Sequence, residues 1–193
     1  MKYLILLLLT LCYQCSAQIG LRSPAFVAGL RPASSPICSI LFSNQATSAD
    51  TFGTTDQKVY LGSLYTFATS ANVCSFQTKL IKSAGDISAI SYKVQIYTLS
   101  ANNLNTLVGE SDSVLGDNSW SATWVTFPVT VPFSVAAGTS YAIVITSGTY
   151  DASNYASGYY AASTGWVYRT WKADKTLAAN NNNYFVGFTV STQ

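Results

Sequence analysis

The chain carries one glutamate, seven aspartates and no histidine. Without histidine it cannot build a Ser-His-Asp or Cys-His triad, or a zinc site with imidazole ligands. Glycoside hydrolysis needs two carboxyl groups about 5–10 Å apart. Glu110 and Asp112 are two residues apart, so on a strand they share a face. The plainer reading makes them two solvated charges on an edge strand or hairpin. Arg169 with Tyr168 or Tyr160 is the one basic–phenolic grouping that lyase chemistry could use. No phosphate-cradling glycine loop is present. No residue is therefore assigned a catalytic role, and the chain is not expected to be an enzyme.

Aromatic side chains are the better candidates. The stretch TGWVYRTW, residues 164–171, places three rings and an arginine within eight residues. On a strand Trp166 and Tyr168 share one face, while Val167, Arg169 and Trp171 share the other. Arginine is seldom buried unpaired, so the Arg169 face is expected to meet solvent and expose Trp171. The same alternation turns Trp124 outward beside Thr126, opposite Val125 and Phe127, and turns Tyr97 outward. One of Tyr159 and Tyr160 must also face out. An exposed indole or phenol offers a flat apolar face with a polar edge, on which the C–H face of a pyranose stacks. Asn154, Asp151 and the asparagines at 180–183 supply partners for sugar hydroxyls. The competing reading is packing, because aromatics suit strands for that reason alone and single exposed rings are ordinary.

Calcium is the one ion the sequence suggests. Asp117 and Asn118, after Gly116, and the loop at 50–56 offer oxygen ligands of the kind this ion takes. An Asp-Asn pair also serves plain turn chemistry. No other cofactor is expected.

The positions around these residues read as strands. Apolar-alternating runs fall at 37–43, 59–69, 73–82, 88–99, 106–113, 120–130, 140–146, 158–163, 166–170 and 184–191. Tyr92, Val94 and Ile96 alternate with Lys93, Gln95 and Tyr97. Cys74, Phe76, Thr78 and Leu80 alternate with Ser75, Gln77 and Lys79. Turn residues separate the runs at Ala84-Gly85-Asp86, Ala101-Asn102-Asn103, Gly116-Asp117-Asn118 and 136–139. Residues 173–179 read as one helical turn, and 180–183 as a solvated loop. The expected class is all-β: an antiparallel β-sandwich, jelly-roll-like, of about eight to ten short strands.

Outside this region, Lys2, an apolar run at 3–11 and Cys15-Ser16-Ala17 have the layout of a secretory signal peptide at 1–17, cleaved before Gln18. Residues 18–36, with Pro24, Pro32 and Pro36, read as a lead-in segment or linker, and 37–193 as the sandwich domain. Lys and Arg total ten against eight acidic residues, a near balance that leaves no footprint for nucleic acid or a membrane surface. After cleavage Cys38 and Cys74 remain, and in an oxidising compartment they are expected to form one disulfide.

The order YTFATSANVCSFQTKLIKSAGDISAISYKVQIYTL, then WVTFPVTVPFSVAAGTSYAIVIT, then SNYASGYY, resembles the secreted choice-of-anchor β-sandwich domains. These are in turn similar to carbohydrate-binding jelly rolls. The resemblance spans roughly residues 59–190 and implies a fold more sharply than a function. The resulting expectation is a secreted, non-catalytic module recognising an extracellular glycan or cell-surface component through exposed aromatics. The alternatives are an extracellular structural or adhesive protein making protein contacts or self-associating and, ranked below it, a polysaccharide-active hydrolase or lyase.

Overall fold

The structure, a computed structural model, describes residues 38–43, 48–55, 58–162, 168–181 and 184–193. Trp166 and Val167 lie outside these residues, as do the signal and lead-in segments. Among the described residues the chain forms fourteen strands in two antiparallel sheets that do not close into a barrel. The expected sandwich class is the observed one.

The first sheet is organised on β4 (Ala71–Ala84), the longest strand. On one side its residues Ala71 to Leu80 pair with β8 (Thr123–Val135). On the other side β14 (Phe188–Thr192) pairs with the first half and β10 (Tyr155–Ala162) with the second. β1 (Ser39–Ser43) flanks β14. β2 (Ser48–Thr51) and β13 (Tyr184–Val186) flank β10.

The second sheet runs in the order β12 (Leu177–Asn181), β11 (Tyr168–Trp171), β3 (Tyr60–Thr66), β9 (Ser140–Thr146), β5 (Ser91–Ser100) and β6 (Asn103–Glu110). The short β7 (Val114–Leu115) also pairs with β5.

Period-two alternation builds the core between the sheets. Phe76, Leu80, Val125, Phe127, Phe188 and Val190 come from one sheet, and Leu61, Tyr92, Val94, Ile96, Ile143 and Ile145 from the other; all twelve are buried in one cluster. A large apolar side chain buried in this way contributes about 1.5–3 kcal/mol. The sheets are also tied by a polar bond, since the Val186 amide of β13 donates to the buried Ser63 hydroxyl of β3 at 2.6 Å.

Two segments depart from the sequence reading. Residues 173–179 make no helical turn: Lys175 adopts a positive φ of 67° in a tight turn, and the chain enters β12 at Leu177. Asn180 therefore sits in a strand opposite Arg169 rather than in a free loop. The run at 184–191 divides at Gly187 into β13 and β14, and β2, β7 and β12 are further strands without clear alternation.

Cys38 and Cys74 are disulfide-bonded, with Cα atoms 6.2 Å apart, closing the 36-residue separation between them. This is the expected pairing. It fixes the residue before β1 to β4.

Candidate functional site

The outer face of the first sheet carries a row of three side chains across β8, β4 and β10. Alternation sends Ser75, Gln77 and Lys79 of β4 outward while Phe76, Thr78 and Leu80 face the core. Lys79 is directly opposite Trp124 of β8. On the other side, Leu80 pairs with Gly158, so the next outward residue of β10 beside Lys79 is Tyr159. The Lys79 ammonium stands over the Tyr159 ring, 4.7 Å from its centroid. Trp124 is 36% exposed, the largest ring on this face. Neighbouring strands lie about 4.8 Å apart, so the row spans two spacings, about 10 Å.

Hydrogen-bonding groups continue the face. Gln77 donates to the Thr126 hydroxyl at 3.0 Å, and the Ser83 and Ser157 hydroxyls bond each other. Of the pair Tyr159 and Tyr160, Tyr159 is the outward ring. Arg169 and Tyr160 belong to different sheets, and Tyr160 packs on the central core.

The second sheet corrects the expected exposure of Trp171 and Tyr97. Trp171 is 0% exposed and Tyr97 2%. Both point away from the central core, as alternation requires, but that side is itself covered. They join Val59, Tyr60, Leu104, Ala142 and Val144 in a second apolar cluster. The turn between β5 and β6 meets the β11–β12 hairpin there: Trp171 Nε1 donates to the Asn102 carbonyl at 2.9 Å, and the Leu104 amide donates to the Lys175 carbonyl at 3.0 Å. Arg169 is buried too, at 7%. Its Nη1 donates to Asn102 Oδ1 at 2.9 Å and its Nε to Asn180 Oδ1 at 3.4 Å, so its partners are uncharged side-chain amides. Burial draws its pKa below the ordinary value. Neither Trp171, Arg169 nor Tyr97 presents a face to a ligand.

Next to that cluster is a polar cleft of roughly 250 Å³ lined by Ser91, Lys93, Gln95, Ser113, Thr146, Ser147 and Gly148. Its charged groups satisfy one another. Lys93 Nζ is 2.6 Å from Glu110 Oε1, Gln95 donates to Glu110 Oε2 at 2.7 Å, and the Tyr97 hydroxyl donates to Gln95 Oε1 at 3.1 Å. The Lys93 bond is the main cause of the lowered Glu110 pKa. Burial pushes the Tyr97 phenol up, and Tyr60 and Glu110 beside it add to the rise. Asp112 is engaged elsewhere, accepting from the Thr130 hydroxyl of β8 at 2.5 Å. The two acids thus serve different neighbours.

The other candidate oxygens and amides knit turns. Asp117 accepts from the Ser119 amide at 2.8 Å. Asn118 accepts from the Ile87 amide at 3.0 Å and donates to Asp86 Oδ1 at 2.8 Å. Asp151 accepts from the Ser153 amide and from the Asn154 side chain, and Asn154 Oδ1 accepts from the Asp86 amide at 2.7 Å. Gly85, at φ 56°, lets Asn154 press against that turn. Among the described residues no three His, Cys, Asp or Glu side chains group to hold a metal.

Lys79 is the site residue that the sequence reading placed outward without singling out. Its signal was the Ser75, Gln77, Lys79 alternation, but the register that sets it between two rings joins it to residues 45 and 80 positions away in the sequence. No protein-family model matches this chain, and no curated protein matches its sequence.

Proposed function

We propose that this chain is a secreted, non-catalytic module that binds carbohydrate on the outer face of its first sheet. The observation that carries the reading is the row of Trp124, Lys79 and Tyr159 on a flat surface of hydroxyls and amides. Trp124 supplies a stacking face for a sugar ring. Gln77 and the exposed Thr126 beside it supply hydrogen-bonding groups. The span of about 10 Å suits a short stretch of glycan lying across the strands. A shallow face of this kind gains little over the cost of association, so single-site affinity is weak and multivalent display strengthens it.

The adhesive alternative draws less support. β8, at the edge of its sheet, carries Pro128 and Pro132, which blunt strand-to-strand pairing. Besides Trp124, the exposed large hydrophobics among the described residues are Leu107 of β6, Leu115 of β7, Val131 of β8 and Tyr150 of the β9–β10 loop.

A glycan array of residues 18–193, beside Trp124→Ala and with or without calcium, tests the proposal. Binding by the parent that falls at least tenfold in a folded Trp124→Ala is the expected result. Equal binding by the two proteins, or none by either, would remove the row from function.

A further inference from the structure

We infer that the glycan held on this face is anionic, its carboxylate or sulfate groups meeting the Lys79 ammonium between the two rings. The inference rests on the stacking role proposed for Trp124 and extends it to the charge of the ligand.

Three observations carry it. First, the ion pairs among the described residues are Lys58 with Asp50 and Lys93 with Glu110, and Lys79 belongs to neither. Its neighbour is the Tyr159 ring, which holds the ammonium electrostatically while leaving donors directed away from the ring. Second, β1, β4, β8, β10, β13 and β14 contain no aspartate or glutamate. Asp50 of β2 is the one acid within a strand of this sheet, and Lys58 engages it. Third, the acids that adjoin β4 and β8 at Asp86 and Asp112 are engaged away from the row. Asp86 lies in the turn after β4, where its carboxylate accepts hydrogen bonds from Ser88 and Asn118, while Asp112 reaches β8 at Thr130. Thr130 is six residues beyond Trp124, about 20 Å along an extended strand. That is about two and a half Debye lengths in physiological salt.

The contrast with Lys93 sharpens the point. The two lysines are outward residues on opposite sheets, yet Lys93 has a carboxylate at 2.6 Å and Lys79 has an aromatic face. A lysine acts as a point charge without the planar fork of arginine, so it accepts carboxylate and sulfate alike.

The test is affinity electrophoresis or titration calorimetry on the whole domain with matched polysaccharides. These are polygalacturonate and its fully methyl-esterified form, and dextran sulfate and dextran. The parent, Lys79→Gln, Lys79→Arg and Trp124→Ala are compared. A charge-assisted bond of this kind is worth roughly tenfold or more in affinity. The expected result is at least a tenfold preference for the charged member of a pair, declining with added salt. The preference should be lost in Lys79→Gln and kept in Lys79→Arg. Preference within both pairs means that the anionic charge is read whatever its source, and preference within the uronate pair alone restricts the ligand to carboxylates. Equal binding of charged and neutral glycans, lost in Trp124→Ala and unchanged in Lys79→Gln, would overturn the inference and leave the stacking role standing. No binding to any of the four, or binding indifferent to Trp124→Ala, would overturn both.

Discussion

Trp171 Nε1 donates to the carbonyl of Asn102, 69 residues earlier, at 2.9 Å. That bond locks the β11–β12 hairpin against the β5–β6 turn and seals the second apolar cluster. Trp171→Ala should therefore cost about 3–5 kcal/mol in chemical denaturation, the range for truncating a buried large ring. Glycan binding, measured where the variant is still folded, should stay at the parental level. A loss of binding in a folded Trp171→Ala protein would show that the second sheet takes part in recognition.

The Cys38–Cys74 bond closes a loop 36 residues long. In the chain-entropy account such a crosslink is worth about 3–4 kcal/mol. Reduction, or the double change Cys38→Ala with Cys74→Ala, should lower the urea midpoint accordingly, with no change in glycan affinity. An unchanged midpoint would mean that β1 adds nothing to the cooperative unit.

Acid should weaken the domain at the turns. Hydrogen bonds from Asn118 and Ser88 hold the Asp86 carboxyl at about 2, below its ordinary 3.8. A group depressed in the folded state adds stability above its unfolded pKa and loses it as the pH falls through the folded one. Thermal midpoints of the parent should thus fall as the pH drops from about 3.8 towards about 2. Asp86→Asn should show a shallower fall over that window. Identical slopes would contradict the assignment.

At the other extreme, burial pushes the Tyr92 phenol up to about 12, against an ordinary 10.0. Its folded form is neutral, so the stability it lends is complete below pH 10.0 and drains away as the pH rises towards about 12. Its hydroxyl lies beside the Ala156 backbone without a well-formed hydrogen bond. A buried polar group left in that condition costs about 1–3 kcal/mol. Tyr92→Phe should accordingly match or exceed parental stability at neutral pH and resist alkali better. A clear destabilisation would mean that the hydroxyl has a partner worth keeping.

The alternation of Tyr92, Val94 and Ile96 against Lys93, Gln95 and Tyr97 was readable because each strand is long enough to repeat its pattern. The run at 140–146 became β9 at those same bounds. What alternation cannot tell is whether a face turned from the core meets water. Tyr97 and Trp171 point as expected, yet the turn at Ala101-Asn102-Asn103 lies over them, a long-range meeting that no local pattern encodes. The rule that exposes arginine failed at Arg169 for a related reason, since its partners Asn102 and Asn180 are uncharged amides and left no charge pattern to read. Leu177–Asn181 escaped notice because Ala and Asn are poor strand formers, and pairing with β11 overrides that preference. Trp124 was legible because Val125 and Phe127 fix its face, and among the described residues it stays 36% exposed.

Cys38 is covalently joined to Cys74, and the Gln193 amide donates to the carbonyl of Asn72 at 2.9 Å. Both entry and exit of the folded domain are thus fastened to the same three residues at the start of β4. A mechanical pull applied between Cys38 and Gln193 would cross the domain at Asn72–Cys74. β1 could not be peeled away while the disulfide holds. Lys79 lies five residues beyond Cys74 on β4, and Trp124 and Tyr159 are on its neighbours, so the domain could be strained at Asn72–Cys74 while the row further along kept its shape.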